Sequence, residues 1–364
     1  MDGKSAGKTV GKVMFDAKEL ATEWENIKAV HDIDPEHKFT VRAYGHCKTY
    51  DKRSVVQAEL NRCDSLKAGQ KDVGQLVYEY GGETLTQFLM RFRDASNPMP
   101  PTTFLNLFLQ FGRLLEGAMM MNEKGYAHMD IKSENVLLDR RGSQLRLIDF
   151  GMMMKLVDIP KDSITSTAYR YFPPELRILS HKTRRRPFTL KAHEVVGVYE
   201  KDVAYGFLET YESEMFDPVT DVRDMFEMDA SELARFSCNK VDVFALGWLM
   251  CLCAFATDNM KAPQFDSVRL PIISFLRSAA RFNPKHRMTP REACGHHKTV
   301  CAQFAADASL HRKRPLPSRD DDIMVPLSKK HRASPLKNSM KALPPPPLSR
   351  KALAAMAAAV PLPP

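Results

Sequence analysis

Two neighbouring stretches constrain this chain more than any other feature: His128–Leu138, HMDIKSENVLL, and Leu145–Gly151, LRLIDFG. A lone Asp in a turn is usually a cap or a turn former. Here Asp130, Lys132 and Asn135 share one short loop, a Leu-rich strand follows, and Asp149 arrives 14 residues after Asn135 at the end of a second strand. Moving a phosphoryl group requires a carboxylate that orients the acceptor and takes its proton, a cation beside the moving group, and oxygen ligands for magnesium. Asp130 suits the first role, Lys132 the second, and Asn135 with Asp149 the third.

These residues resemble the eukaryotic-type protein kinase superfamily. HMDIKSEN is similar to its catalytic loop, and Asp149–Gly151 to its DFG element. Further landmarks follow in order. FPPE at Phe172–Glu175 resembles the family's APE element, Asp242 in DVFALG the buried Asp that braces the catalytic loop, and Arg287 in NPKHRMTPREA the late Arg that pairs with Glu175. The resemblance covers residues 10–304 and implies an α+β, bilobal protein-kinase-like fold, with a shortened N-terminal β-rich lobe and a helical C-terminal lobe. It also implies ATP and Mg2+ as cofactors and protein substrates presenting Ser or Thr. In style, with EWENIKAVHDIDPEHKFTV from Glu23 to Val41, the chain is most similar to the divergent serine/threonine kinases of large double-stranded DNA viruses. That likeness implies action inside a host cell, in cytoplasm or nucleus, and is compatible with virion association.

The upstream lobe supplies the nucleotide half of the reading. VGKVMF, from Val10, reads as a strand, and Leu20, Trp24, Ile27 and Val30 recur near helical spacing between Ala17 and His31. Phe39–His46 and Gln75–Tyr80 read as further strands. A lysine on a central strand can bridge ATP phosphates when a carboxylate holds its amine, and Lys12 with Glu23 offers that pair. Glu25 competes for the role; Ile27 and Val30 follow Glu23 at the spacing of the family's C helix, which favours Glu23. LVYEYGG from Leu76 resembles the hinge, where backbone groups of Glu79 and Gly81 would meet adenine, with Tyr78 at the gatekeeper position.

The chain departs from the family in two places. Only 11 residues precede Lys12, and Gly3, Gly7 and Gly11 do not reproduce a GxGxxG lid; GKSAGKT lacks the preceding strand and full spacing of a P-loop. Met129 stands where many members carry an Arg that receives an activation-segment phosphate, so switching through that contact is not expected. Ser163, Thr165, Ser166 and Thr167 remain as modifiable hydroxyls, and Thr167 lies near where the family uses a threonine to steady its catalytic Asp and Lys.

Composition sharpens the boundaries. The formal charge is +9, but +7 of it sits in residues 305–364, which hold 11 of the 24 prolines and no aromatic residue. The body is nearly neutral, so no specific nucleic-acid binding is expected. The tail is read as disordered; its RKRP and SKKHRASP clusters fit a nuclear import signal or a solvated basic tail. Seven scattered Cys (47, 63, 238, 251, 253, 294, 301) read as reduced, mostly buried thiols. The most apolar run, Val241–Ala256, is interrupted by Asp242 and is short for a bilayer span, so it reads as a buried helix and no membrane partner is expected. The resulting map is a polar segment with an incomplete glycine-rich loop (1–9), a small lobe and hinge (10–82), a large lobe (83–304) with an insertion about residues 177–239, and the tail (305–364).

Three readings remain open on these residues. The first is an ATP-dependent serine/threonine protein kinase. The second is a pseudokinase serving as a binding or scaffold module with impaired ATP binding. The third, a small-molecule phosphotransferase of related fold, is disfavoured by Lys132, FPPE and Arg287. The sequence does not specify the oligomeric state.

Overall fold

The computed structural model describes residues 8–14, 16–47, 74–92, 96–139, 144–161, 170–183, 190–211, 217–258 and 260–312. The expectations placed on Gly3, Gly7, Cys63, Ser163, Thr165, Ser166, Thr167 and the tail beyond residue 312 lie outside them. The chain divides into residues 1–304 and 305–364; of the second unit residues 305–312 are described, as helix.

Strand β1 (Thr9–Met14) leads into helix α1 (Ala17–Ile33). The Asp16 side chain starts that helix by accepting from the amides of Lys18 and Glu19, two donors that have no partner within a first turn. Leu20, Glu23, Ile27, Val30 and Ile33 then fall on one buried face at three- and four-residue spacing. Strands β2 (Ala43–Cys47) and β3 (Gly74–Glu79) complete an antiparallel sheet in the order β1-β3-β2, with Lys12 opposite Leu76.

The expected strand from Phe39 begins later, at Ala43. The cause is Asp34, a buried carboxylate that accepts from the amides of Lys38, Phe39 and Thr40 and from the Thr40 hydroxyl. Those bonds curl residues 38–40 around one side chain. A buried charge is tolerable where its lone pairs are met in this way.

Beyond the hinge come β4 (Glu83–Thr84), α2 (Leu85–Leu89), α3 (Pro101–Glu123), β5 (Tyr126–Ala127), β6 (Val136–Leu138), β7 (Leu145–Leu147) and β8 (Met154–Lys155). A small sheet in the order β4-β6-β7 and a ribbon of β5 with β8 carry the loops on which the candidate residues lie. At the turn between hinge and β4, Gly82 has φ +115, and a side chain there would drive its Cβ to 2.0 Å from the Leu138 carbonyl oxygen. Only glycine fits that place.

The stretch read from the sequence as an insertion folds into short helices: α4 (Pro174–Thr183), α5 (Ala192–Val196), α6 (Val203–Tyr211), α7 (Pro218–Glu227) and α8 (Ala230–Ser237). Asp217 and Asp229 cap α7 and α8. Helices α9 (Val241–Phe255), α10 (Arg269–Ala279) and α11 (Pro290–Arg312) finish the large lobe. Helix α9 is apolar on nearly every side because α3, α6 and α10 surround it. Gly247 lets α10 approach: a Cβ there would lie 2.8 Å from that of Ala279. Among the described residues no single helix is long and apolar enough to cross a membrane; α8 with α9 passes such a test only as a pair bent by 59°.

The architecture is mixed α+β, a small sheet-bearing lobe before a helical one, as the sequence led one to expect. Glu175 at the start of α4 and Arg287 before α11 are fully buried and meet in a two-point contact, Nη1 to Oε1 at 2.5 Å and Nη2 to Oε2 at 2.9 Å. The remaining guanidinium donors reach the carbonyls of Arg281, Phe282 and Lys240, and the Phe244 ring centre lies 4.8 Å from the charge. Removing either partner leaves an uncompensated buried charge. Glu175→Ala or Arg287→Ala is therefore expected to cost about 3–5 kcal/mol of stability, read as a large fall in melting temperature; a melting curve that matches the parent would refute the pairing.

Candidate active site

The loop after β5 is held from beneath by Asp242, in the first turn of α9. Its carboxylate accepts from the amides of His128 (2.7 Å) and Met129 (3.1 Å). Burial pushes this carboxyl above its usual range, against the opposing pull of His128 and the two amides. The brace is needed because Met129 has φ 69, a left-handed conformation that costs a residue with a bulky side chain about 1–3 kcal/mol. The turn presents Asp130. Asn135 Nδ2 donates to the Asp130 carbonyl oxygen (2.9 Å) and to its Oδ2 (2.8 Å), and Lys132 Nζ donates to the same Oδ2 at 2.9 Å. Carboxylate, amide and ammonium form one unit.

Asp149 is tied to that unit through the backbone. The Ile148 amide donates to the Asn135 carbonyl (3.0 Å), His128 Nε2 lies 3.2 Å from the Ile148 carbonyl, and the His128 and Phe150 rings are 4.9 Å apart. Asp149 also has a left-handed backbone, φ 66. Two strained non-glycine residues thus flank the candidate chemistry, which is where such strain tends to persist.

From the small lobe, Lys12 Nζ reaches Glu23 Oε1 and Oε2 at 2.9 and 2.7 Å and Asp149 Oδ1 at 2.9 Å. Glu23 is 1% exposed; the competing Glu25 is at the surface and pairs with Lys28. Burial alone would lower the Lys12 pKa, but Asp149 and Glu23 outweigh it and hold the ammonium above its usual value. Asp149 shows the mirror case: burial acts to raise it, and the Lys12 charge and hydrogen bond bring it below the ordinary carboxylate value.

Two contacts here were not read from the sequence. The Tyr78 hydroxyl donates to Glu23 Oε1 at 3.1 Å, and burial followed by the Glu23 charge pushes the phenol pKa far up, so it remains a donor. Asn26 Nδ2 donates to the carbonyls of Phe150 (2.8 Å) and Met153 (3.1 Å), fastening α1 to the segment after Asp149. A signal for Asn26 existed, since a residue three beyond Glu23 shares its helix face. The Tyr78 contact joins strand to helix and leaves no local trace.

At the hinge, the Glu79 amide donates to the Arg42 carbonyl at 2.8 Å, so a base contact from Glu79 falls to its carbonyl. Gly81 is buried, with Leu137 and Val41 filling the space a side chain would need. Among the described residues no cluster of three or more His, Cys, Asp or Glu forms a self-contained metal site. The pair Asn135 and Asp149 fits magnesium, which takes one or two protein oxygens and completes its shell with phosphates and water. With Nδ2 committed to Asp130, Asn135 has its amide oxygen for a metal. A cleft of about 650 Å3 between α1 and the β5–β8 ribbon includes none of Lys12, Glu23 or Asp149.

Residues 2–188 match the family model described as protein kinase domain. Among curated proteins, the chain is 37% identical over 78 residues to serine/threonine-protein kinase pim-2 of Danio rerio, covering 21% of this chain and 24% of that protein. It is 32% identical over 123 residues to serine/threonine-protein kinase mos of Patiria pectinifera, covering 32% of each. It is also 27% identical over 165 residues to mitogen-activated protein kinase kinase kinase 20 of Arabidopsis thaliana, covering 41% of this chain and 44% of that protein. The matches span less than half the length of each of these relatives.

The Lys12 contacts give a signed pH expectation. Asp149 has a depressed pKa in the folded chain, so its contribution to stability is present above the ordinary carboxylate range and is lost as pH falls through the folded value. Lys12, being raised, keeps its contribution up to its ordinary value and loses it only at higher pH. The stability deficit of Lys12→Met should therefore be constant through neutral pH and shrink at the two extremes, below the carboxylate range and above the ordinary lysine value. A deficit that changes between pH 6 and 8 in denaturant titrations would contradict the assignment.

Proposed function

Because the chain belongs to the protein kinase family, we propose that it is an ATP- and magnesium-dependent serine/threonine protein kinase. The observation that carries this reading is the simultaneous engagement of Lys12 with Glu23 and Asp149. A lone lysine on a strand would be an ordinary exposed charge. Here a buried carboxylate on α1 and the aspartate next to the catalytic loop converge on one amine, which is the arrangement a phosphate-binding cation needs. Such convergence supports an active enzyme over a pseudokinase.

Bound Mg-ATP would supply the transferable phosphoryl group and neutralise the charge on its oxygens. Lys12 would hold the phosphates, Asn135 and Asp149 the metal, and the backbone of Glu79 and Gly81 the base. Asp130 would orient an acceptor hydroxyl and take its proton. Lys132, already bonded to Asp130, would offset charge developing between acceptor and phosphate. Serine/threonine preference is supported by Lys132 at two residues after Asp130 and by the printed names of the pim-2 and mos relatives. The Glu23–Val41 stretch supports a place among the divergent kinases of large double-stranded DNA viruses, and with it an intracellular site of action.

Chemistry and folding separate under mutation. Asp130→Asn and Asp149→Ala should each abolish transfer of labelled phosphate to a basic protein acceptor while leaving the fold largely intact, Asp149→Ala losing in addition the modest contribution of its pair with Lys12. Undiminished turnover in either variant would overturn the role assigned to that residue.

A further inference from the structure

Between α4 and α9 lies the stretch that the sequence set apart as an insertion, and two of its residues reach back to the segment that ends at Glu175. Tyr199, in the turn after α5, is buried, and its hydroxyl donates to the Phe172 carbonyl. Its ring is locked edge-on against Phe282, Trp248 and Phe244, with centroids 4.8, 5.3 and 5.9 Å away. Three residues on, the Asp202 carboxylate is 6% exposed and lies 3.1 Å from Arg170 Nη1. It also accepts from the Ala204 amide at 2.9 Å, so its position is fixed by the start of α6.

The same short segment is gripped from its other side. The Phe172 side chain packs in a small core with Ala127, Met129 and Val241, which includes the strained residue of the catalytic loop. Tyr171 is hydrogen-bonded through its side chain to Ser133 on that loop, and the Arg170 guanidinium sits 5.3 Å from the Tyr171 ring centre. Residues 170–172 are thus clamped between the catalytic loop, which carries Asp130, and a rigid corner of the helical stretch. The partner that would otherwise be expected on the catalytic loop, an arginine at position 129, is a buried methionine here.

We propose that Tyr199 and Asp202 are positioning residues that hold Arg170–Phe172 as the platform on which the acceptor polypeptide lies beside Asp130. Acceptor alignment is then a built-in property of this chain, supplied by its helical stretch rather than by an added phosphate group. The inference rests on the protein kinase activity proposed above. It deepens that reading by assigning acceptor alignment to two residues outside the motifs.

The test uses the full chain with ATP, Mg2+ and a basic protein acceptor. Asp202→Asn removes the charge at constant shape, Tyr199→Phe removes one hydrogen bond and keeps the ring, and the double variant Arg170→Asp with Asp202→Arg restores a reversed pair. A misplaced platform should lower kcat/KM for the acceptor roughly ten- to hundredfold in both single variants. Acceptor-independent ATP hydrolysis should stay within about twofold of the parent, since neither residue touches nucleotide groups. Hydrogen exchange at the amides of residues 171–172 should quicken in the single variants, and the reversed pair should recover acceptor kinetics in part, the acceptor for the Ala204 amide being lost with Asp202. Equal losses of hydrolysis and transfer together with a lowered melting temperature would make these residues mere structural braces and overturn the inference. Acceptor kinetics and exchange unchanged from a parent that does transfer phosphate would overturn it alone. A parent that transfers none would overturn the proposed function, and this inference with it.

Discussion

The candidate site depends on one amine. Lys12 stands on β1, Glu23 on α1 and Asp149 at the end of β7, and the three come within hydrogen-bond reach only if sheet, helix and large lobe are mutually in place. Each partner has a second hold. Glu23 receives the Tyr78 hydroxyl from β3, and Asp149 follows the strand that Asn135 and His128 pin to the catalytic loop. The bonds from Asn26 to the Phe150 and Met153 carbonyls make the docking of α1 an attachment to backbone as well as an ion pair. Charges in partly exposed positions contribute modestly to stability. Their weight here is in geometry, fixing where phosphate oxygens and metal would be held.

The large lobe works as a foundation of buried polar groups. Asp242 offsets the strain at Met129 by meeting two amides, while Glu175 and Arg287 join the end of the Arg170–Glu175 segment to the start of α11. Such groups are costly to bury and become tolerable only when every partner is present. They explain why an apolar helix, α9, carries an aspartate in its first turn.

Much of this was legible in the sequence where the signal is local. Asp130, Lys132 and Asn135 lie within six positions and fold into one hydrogen-bonded unit, and the preference for Glu23 over Glu25 came from the resemblance of Ile27 and Val30 to the family's C-helix spacing. Contacts between distant elements left no such trace. Tyr78 was placed at the gatekeeper position without its bond to Glu23, which lies 55 positions away; the start of β2 was misplaced for a local reason, the capture of residues 38–40 by the Asp34 side chain four to six positions upstream. The stretch from 177 to 239 yielded little because its helices are a few turns each, too short for a 3.6-residue period to stand out. In retrospect the capping aspartates at 217 and 229 were the readable marks.

The central claim is that Lys12, Glu23, Asn135 and Asp149 form a working nucleotide and metal site. Calorimetric titration of the full chain with ATP, in the presence and absence of Mg2+, tests it most directly. The account predicts saturable one-to-one binding that strengthens markedly with Mg2+. No binding under either condition, or binding indifferent to the metal, would contradict it.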